Sequence, residues 1–127
     1  MDTAVDLKFA DGEYHFALLL PQIFELERNC GGPDSDGVRK GKSVFQIYDE
    51  LSAGLGLSVD DAPVFMGGGR ANAKDIRETI RLGLIGAGAS REDAAKDTDR
   101  AFEEEDSGAL ALACFTLISN ALMGKAH

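Results

Sequence analysis

The stretch RLGLIGAGASRED, residues 81–93, decides the fold because it places three glycines between two helical patterns. Glycine-rich turns that cradle phosphates follow a strand, whereas the segment before this one has helical periodicity. The spacing is G-x-x-G-x-G, and Ala89 and Ser90 stand where a phosphate loop needs Lys and Ser or Thr. Carbonyl groups left free at a helix C-terminus also repel anions. The stretch therefore predicts a glycine helix cap, with Gly86 or Gly88 left-handed, followed by a Ser90 N-cap.

Helical patterns dominate on both sides of this turn. Apolar residues recur at helical spacing over residues 21–30, 44–55, 72–85, 90–106 and 108–123. The expected start signals are Pro21, and caps at Ser43, Asn72, Ser90 and Ser107, with Asp75 and Asp93 at capping-box positions. The last helix is the most apolar, so we expect it to be central and most buried.

The N-terminal stretch AVDLKFADGEYHFALLL, residues 4–20, alternates apolar and polar residues on both sides of Asp11-Gly12. This predicts a β-hairpin over residues 5–19 with Asp11-Gly12 as its two-residue turn. An isolated hairpin is marginal in water and must pack on other elements. Residues 31–41 read as a linker, PVFM at 63–66 as a short third strand, and MGGGR at 66–70 as a turn.

Together these patterns predict an α+β, mostly α fold. Its N-terminal β-hairpin packs on a compact bundle of about five helices, in one domain spanning residues 1–127. In the helix after Ser43, the expected apolar stripe consists of Val44, Ile47, Tyr48, Leu51 and Leu55.

Charge and cysteine content narrow the classes of function. The 127-residue chain has a formal net charge of -9, which disfavours binding to nucleic acids and to anionic membranes. It shows no leader pattern and no apolar stretch long enough to cross a bilayer, so we expect a cytoplasmic protein. Cys30 and Cys114 are expected to be reduced core thiols.

No combination of residues predicts catalysis or metal binding. His15 falls on the polar side of a predicted strand and His127 is terminal, without a carboxylate or cysteine cluster beside either. The acidic run at residues 102–107 lacks the ligand spacing of a calcium loop. We therefore expect a protein that is not an enzyme and that has no cofactor and no metal.

The order of the segments resembles the small tail assembly chaperones of gene transfer agents and siphophages of alphaproteobacteria. The resemblance covers roughly residues 6–124, and its most specific part is IRLGLIGAG at residues 80–88, followed by the Leu26-Glu27 pair after the hairpin. The family-like motif residues are Leu26, Glu27, Arg81, Leu82, Gly83, Leu84 and Gly86. The region at residues 60–70 is longer and richer in glycine than the family pattern.

This resemblance implies a chaperone that binds the tape-measure protein, and in turn tail tube subunits, without being an enzyme. Phe24, Phe45 and Tyr48 are candidate partner contacts. Phe115 is a further candidate to line a groove for a partner helix, but we expect it to be a core residue. Self-association remains open. Two other classes also stay open, namely a structural tail or head–tail connector subunit and a small helical adaptor or regulator.

Overall fold

The N-terminal hairpin consists of β1 (Val5–Phe9) and β2 (Gly12–Phe16), which pair antiparallel. The computed structural model describes residues 5–9, 12–33, 35–57, 63–65 and 72–123. Within these residues, five helices follow the hairpin, so the predicted mostly helical α+β class is confirmed. They are α1 (Leu20–Asn29), α2 (Val44–Ser52), α3 (Ala73–Gly86), α4 (Arg91–Glu104) and α5 (Ser107–Met123).

The register of the hairpin differs from the predicted one. Phe9 pairs with Gly12, so the loop positions are residues 10–11, which lie outside the described residues, and the Asp11-Gly12 turn is wrong. Both registers keep the apolar side chains on one face, because they differ by an even number of residues. Only the observed register puts Asp6 opposite His15 and Lys8 opposite Glu13. Opposite charges across the strands therefore favour it.

Two further small sheets lie in segments that periodicity could not resolve. The predicted linker contains β3 (Gly32–Pro33) paired with β4 (Arg39–Lys40). The predicted third strand is present as β6 (Pro63–Phe65), and its partner is β5 (Leu55–Leu57). Leu55 therefore lies in a strand and not on α2, which ends at Ser52. The predicted turn at residues 66–70 lies outside the described residues.

Side-chain caps fix the starts of α2, α3, α4 and α5. Ser43 Oγ accepts from Phe45 N, Asn72 Oδ1 from Asp75 N, and Ser90 Oγ from Asp93 N, as predicted. The Ser107 cap is wrong because α5 begins one residue earlier than predicted. Asp106 takes that place, and its Oδ1 accepts from Ala109 N at 2.7 Å.

The glycine turn between α3 and α4 is a helix C-cap of the Schellman type. Ala89 N donates to Leu84 O and Gly88 N donates to Ile85 O, both at 3.0 Å. These are the two bonds of that motif, and Gly88 has a φ of +113°, which favours glycine. The capping interpretation of this stretch is confirmed at Gly88, and Gly86 is the last helical residue.

The core lies between the hairpin and the helices. Among the fully buried side chains are Phe16 and Leu18 from the end of the hairpin, Leu26 of α1 and Leu117 and Ile118 of α5. Helix α5 contacts α2, α3, α4, β1 and β6, as its predicted central place requires. Helix α3 shares that place, because it packs against α1, α4, α5 and β2.

Two glycines of α3 let the chain after β2 lie directly on the helix. Ala17 N donates to Gly83 O at 2.8 Å, a bond between strand and helix backbone. A Cβ at Gly86 would stand 1.8 Å from Ala17 O, and one at Gly83 would stand 3.1 Å from the Phe16 ring. The close contact of this segment with α3 therefore requires that Gly86 lacks a side chain, and a side chain at Gly83 would crowd the Phe16 ring.

Candidate partner-binding surface

Large apolar side chains are exposed on α1 and at the start of α2. Leu20 and Phe24 of α1 are 60% and 57% exposed, and they lie one helical turn apart on the same face. Phe45 of α2 is 64% exposed. We call Leu20, Phe24 and Phe45 the α1–α2 apolar surface. Two of the three candidate contacts, Phe24 and Phe45, are thus accessible, and their contact role stays a prediction.

Glu27 joins the two helices that carry this surface. Its Oε2 accepts from Val44 N at 2.9 Å, and its main-chain carbonyl accepts from Lys42 N at 2.9 Å. The first bond places a carboxylate on free amide groups at the start of α2, where the helix dipole favours negative charge. Phe24 stands one turn before Glu27, and Phe45 follows Val44 directly. Phe24 and Phe45 are thus each close in sequence to a residue of this contact between α1 and α2.

Tyr48, the third candidate contact, lies differently. Its side chain is half-buried and packs against the core, and its ring stacks on Phe115 with centroids 5.1 Å apart. A stacked pair of this kind contributes about 0.5–1.5 kcal/mol beyond the area it buries. Phe115 likewise packs against the core, in agreement with the core interpretation of that residue. A partner would reach only the outer part of the Tyr48 ring.

An ion-pair network joins α1 to α3 and α4. Arg91 of α4 donates to both oxygens of Glu25 at 2.9 and 2.7 Å, and Arg81 of α3 lies 3.5 Å from the same carboxylate. Glu78 pairs with Arg81 at 2.6 Å. The hydrogen bonds from Arg91, with the charge of Arg81, lower the pKa of Glu25 to about 2 against desolvation, which acts to raise it.

This network predicts a defined acid sensitivity. A carboxylate with a folded pKa of about 2 and an ordinary value of 4.5 stabilises the fold above pH 4.5, and that contribution is lost as the pH falls toward 2. Glu25→Gln should therefore lower the free energy of unfolding at pH 7 by about 1 kcal/mol, a value reduced for screening at the exposed Arg91. Urea unfolding between pH 7 and pH 2 measures the difference from the wild type.

The control is Glu92→Gln, which removes an exposed charge paired with Lys96 on α4. We expect little change from it at any pH. A deficit in Glu25→Gln that stays constant down to pH 2 would contradict the network as its cause.

A second charged cluster lies in the interior beside α3. Lys42 Nζ donates to Asp75 Oδ2 at 2.7 Å and to Glu50 Oε1 at 2.9 Å. Burial acts to lower the pKa of Lys42, but its bonds to Asp75 and Glu50 outweigh it and raise that pKa. The Asp75 side chain is 2% exposed, and its Oδ1 accepts no hydrogen bond from the described residues. Asp75 therefore holds the loop before α2 and does not close the capping box predicted for it.

The cysteines and the histidine of the described residues differ in burial: Cys30 and Cys114 are buried, and His15 is exposed. Burial raises the pKa of both Cys30 and Cys114, with the charge of Asp75 adding to the effect at Cys30, so both thiols stay protonated at neutral pH. His15 is exposed, and a hydrogen bond with Asp6 raises its pKa. Within the described part of the chain, no group of three or more His, Cys, Asp or Glu side chains is placed to hold a metal ion.

The family-like motif residues have structural roles. Leu26, Leu82 and Leu84 are buried in the core. Arg81 pairs with Glu25 of α1, Glu27 accepts from Val44 N at the start of α2, and Gly83 and Gly86 lie beneath the hairpin. The motif thus builds the scaffold, and the exposed rings lie outside it.

Sequence reasoning missed Leu20 and the pairing of Lys42 with Asp75. Leu20 belongs to an apolar run, Leu18-Leu19-Leu20, in which Leu18 is buried and the next two are exposed. Its position one turn before Phe24 was the available signal. Nothing in the sequence links Lys42 to Asp75, which are 33 positions apart.

The comparisons with known proteins point to phage tails. A sequence model of the family described as "Phage tail tube protein, GTA-gp10" matches residues 65–124, just under half of the chain. The matched part includes α3, α4, α5 and the motif at residues 80–88, but neither the hairpin nor α1. This similarity supports a relation to gene transfer agent and phage tail proteins, and it does not specify a chaperone. No curated protein and no solved structure matches the chain.

The described residues contain no helix that is long and apolar enough to cross a membrane.

Proposed function

We propose that this protein is a non-enzymatic tail assembly chaperone, which binds the tape-measure protein in the cytoplasm and assists assembly of the tail tube around it. The observation that carries the proposal is the exposure of Leu20 and Phe24 one turn apart on α1, with Phe45 beside the joint to α2. Anchors at this spacing suit the apolar stripe of a client helix. The similarity to a phage tail family supports a role in tail assembly, the process in which such a client occurs.

The size of the α1–α2 apolar surface favours a reversible contact. Its three side chains expose roughly 300–400 Å², well below the ~800 Å² per partner of a stable protein interface. A chaperone needs such a weak contact, because tube subunits must later displace it from the tape measure. The net charge of -9 adds solubility to the complex and favours basic segments of the client.

A structural tail subunit is the second candidate, because the matched family is described as a tail tube protein. A tube subunit keeps permanent contacts with its neighbours, and permanent interfaces are usually large and apolar. The modest exposed apolar area of the described residues supports the chaperone over this alternative. The two functions also predict different fates for the protein, since a chaperone leaves the finished particle and a subunit stays.

Co-expression with the tape-measure protein of the same genetic element tests the proposal. We expect the soluble yield of the tape-measure protein to rise several-fold with the wild-type chain, and the double variant Phe24→Asp/Phe45→Asp to lose that effect while keeping its own fold. Both rings are exposed, so their replacement should change the free energy of unfolding by no more than about 0.5 kcal/mol.

The matched control is Met123→Ser, which removes an equally exposed apolar side chain from the end of α5. It should leave the yield of the tape-measure protein unchanged. Mass spectrometry of purified particles completes the test. Presence of this chain at tube stoichiometry, together with no effect on tape-measure solubility, would replace the chaperone with the structural subunit.

A further inference from the structure

The outer edge of β1 carries no second strand within the described residues, and β1 contacts α5 less extensively than β2 contacts α3. The other edge of the hairpin is occupied, since β2 packs along α3 and the chain after it bonds to Gly83 O. Within the described residues, Val5–Phe9 pairs with no strand besides β2. An open edge presents unpaired main-chain amide and carbonyl groups, which can pair with another strand.

The hairpin register determines which main-chain groups face outward. In an antiparallel pair, hydrogen-bonded and non-hydrogen-bonded positions alternate, starting from the pair that closes a two-residue loop. Phe9 and Gly12 close this hairpin, so odd-numbered residues of β1 bond to β2. The amide and carbonyl groups of Asp6 and Lys8 are consequently directed away from β2, toward the open edge.

The sequence of β1, VDLKF, is complementary to itself when it runs antiparallel. With Leu7 opposite Leu7 of a second copy, Asp6 of each chain stands opposite Lys8 of the other, at the positions whose main-chain groups face outward. A shift by two positions along the chain in either direction centres the pairing on Asp6 or Lys8 and places like charges opposite each other. Opposite charges on facing positions stabilise a strand pair, and like charges destabilise it.

The same pairing extends the charge order of the hairpin itself. Within one chain, Lys8 stands opposite Glu13, and Asp6 stands opposite and bonds to His15. A row across the four strands would therefore consist of Glu13 and Lys8 of one copy, followed by Asp6 and His15 of the second copy. The charges in this row alternate in sign when His15 is protonated. The hydrogen bond from Asp6 already raises the pKa of His15.

We propose that two copies of this chain associate through antiparallel pairing of β1 with β1 about Leu7, which joins two hairpins into one four-stranded sheet. The contact is isologous, so it closes on a two-fold axis and does not extend into a filament. It uses different residues from the α1–α2 apolar surface and does not depend on the proposed function. Because the strands are five residues long, the dimer is weak, with a Kd on the order of 10–100 µM.

A charge-exchange experiment tests this pairing by sedimentation equilibrium, over protein concentrations from about 10 µM to about 1 mM. Asp6→Lys and Lys8→Asp each place like charges at both facing positions, so each variant alone should dimerise at least about tenfold more weakly than the wild type. An equimolar mixture of the two variants restores opposite charges and should recover dimerisation as a heterodimer.

Matched controls separate the dimer contact from the stability of the hairpin. Glu13→Gln and His15→Asn disturb the same cross-strand pairs from β2, and they should retain the wild-type dimerisation constant. For the wild type, amide exchange at Asp6 and Lys8 should slow with rising protein concentration, while exchange at Leu7 stays unchanged. This measurement needs no variant and therefore remains decisive if a substitution unfolds the hairpin.

Three results would overturn the proposal. A wild-type chain that stays monomeric at the highest concentration shows that the edge binds no second copy. If the folded single variants dimerise with the same constant as the wild type, the dimer contact does not involve Asp6 and Lys8. A mixture of folded variants that remains monomeric contradicts the pairing of Asp6 with Lys8.

Discussion

A Gly86→Ala variant is expected to fail to fold, or to lose more than about 3 kcal/mol of stability. The added methyl carbon would lie 1.8 Å from the carbonyl oxygen of Ala17, a backbone atom that no side-chain rotation can move. Retreat of that segment would break the bond from Ala17 N to Gly83 O and lift the buried Phe16 out of the core. Urea unfolding at pH 7, or the absence of a cooperative transition, measures the loss.

Gly88→Ala is the matched control two residues away. A methyl group there meets no atom within 4 Å, and only the φ of +113° opposes it. We expect a loss of about 1–2 kcal/mol with the fold retained. Equal losses in the two variants would show that the approach of the hairpin to α3 is not tight.

Lys42→Met is expected to cost about 3–5 kcal/mol, because removing one partner of a buried ion pair leaves the other charge uncompensated. The Asp75 side chain is 2% exposed, and Lys42 is the only cation that bonds to its carboxylate within the described part of the chain. The loss should appear in thermal and urea unfolding alike, and the loop between β4 and α2 should become more sensitive to proteolysis.

Lys96→Met provides the comparison. Lys96 pairs with Glu92 at 3.4 Å on the surface of α4, where both side chains are more than two-thirds exposed. Surface pairs of this kind contribute about 0–1 kcal/mol, so the variant should remain close to the wild type. A Lys42→Met variant as stable as Lys96→Met would mean that water reaches Asp75 freely.

Local signals in the sequence were sufficient for most of the fold. Caps act within three or four residues, and so Ser43, Asn72 and Ser90 were predicted with the helices they begin. The turn at Gly88 followed from the same local chemistry. The hairpin register was wrong because periodicity alone cannot separate registers that keep one face apolar. The charges opposite one another, Asp6 with His15 and Lys8 with Glu13, carried the missing information.

The candidate surface could be predicted only in part, because exposure depends on which elements pack together. Phe24 and Phe45 were candidates as apolar residues beyond the needs of one helix face, and both are exposed. Tyr48 is likewise an aromatic residue of a helix in the sequence, yet its ring stacks on Phe115 of α5 and is half-buried. Leu20 was not predicted to be exposed, because only the fold shows which member of an apolar run faces outward.

Because the hairpin packs on Gly83 and Gly86 of α3, it can reach its native contacts during synthesis only after α3 has been made. The ribosome produces the hairpin before α3, on which it rests, and α3 is completed some 70 residues later, which at about 5–20 residues per second takes several seconds. A free hairpin is marginal, so Tyr14 and Phe16 remain uncovered through this interval. The hairpin thus precedes α3 in translation but becomes native only after it, and nascent chains on one messenger meet while their hairpins are still unprotected.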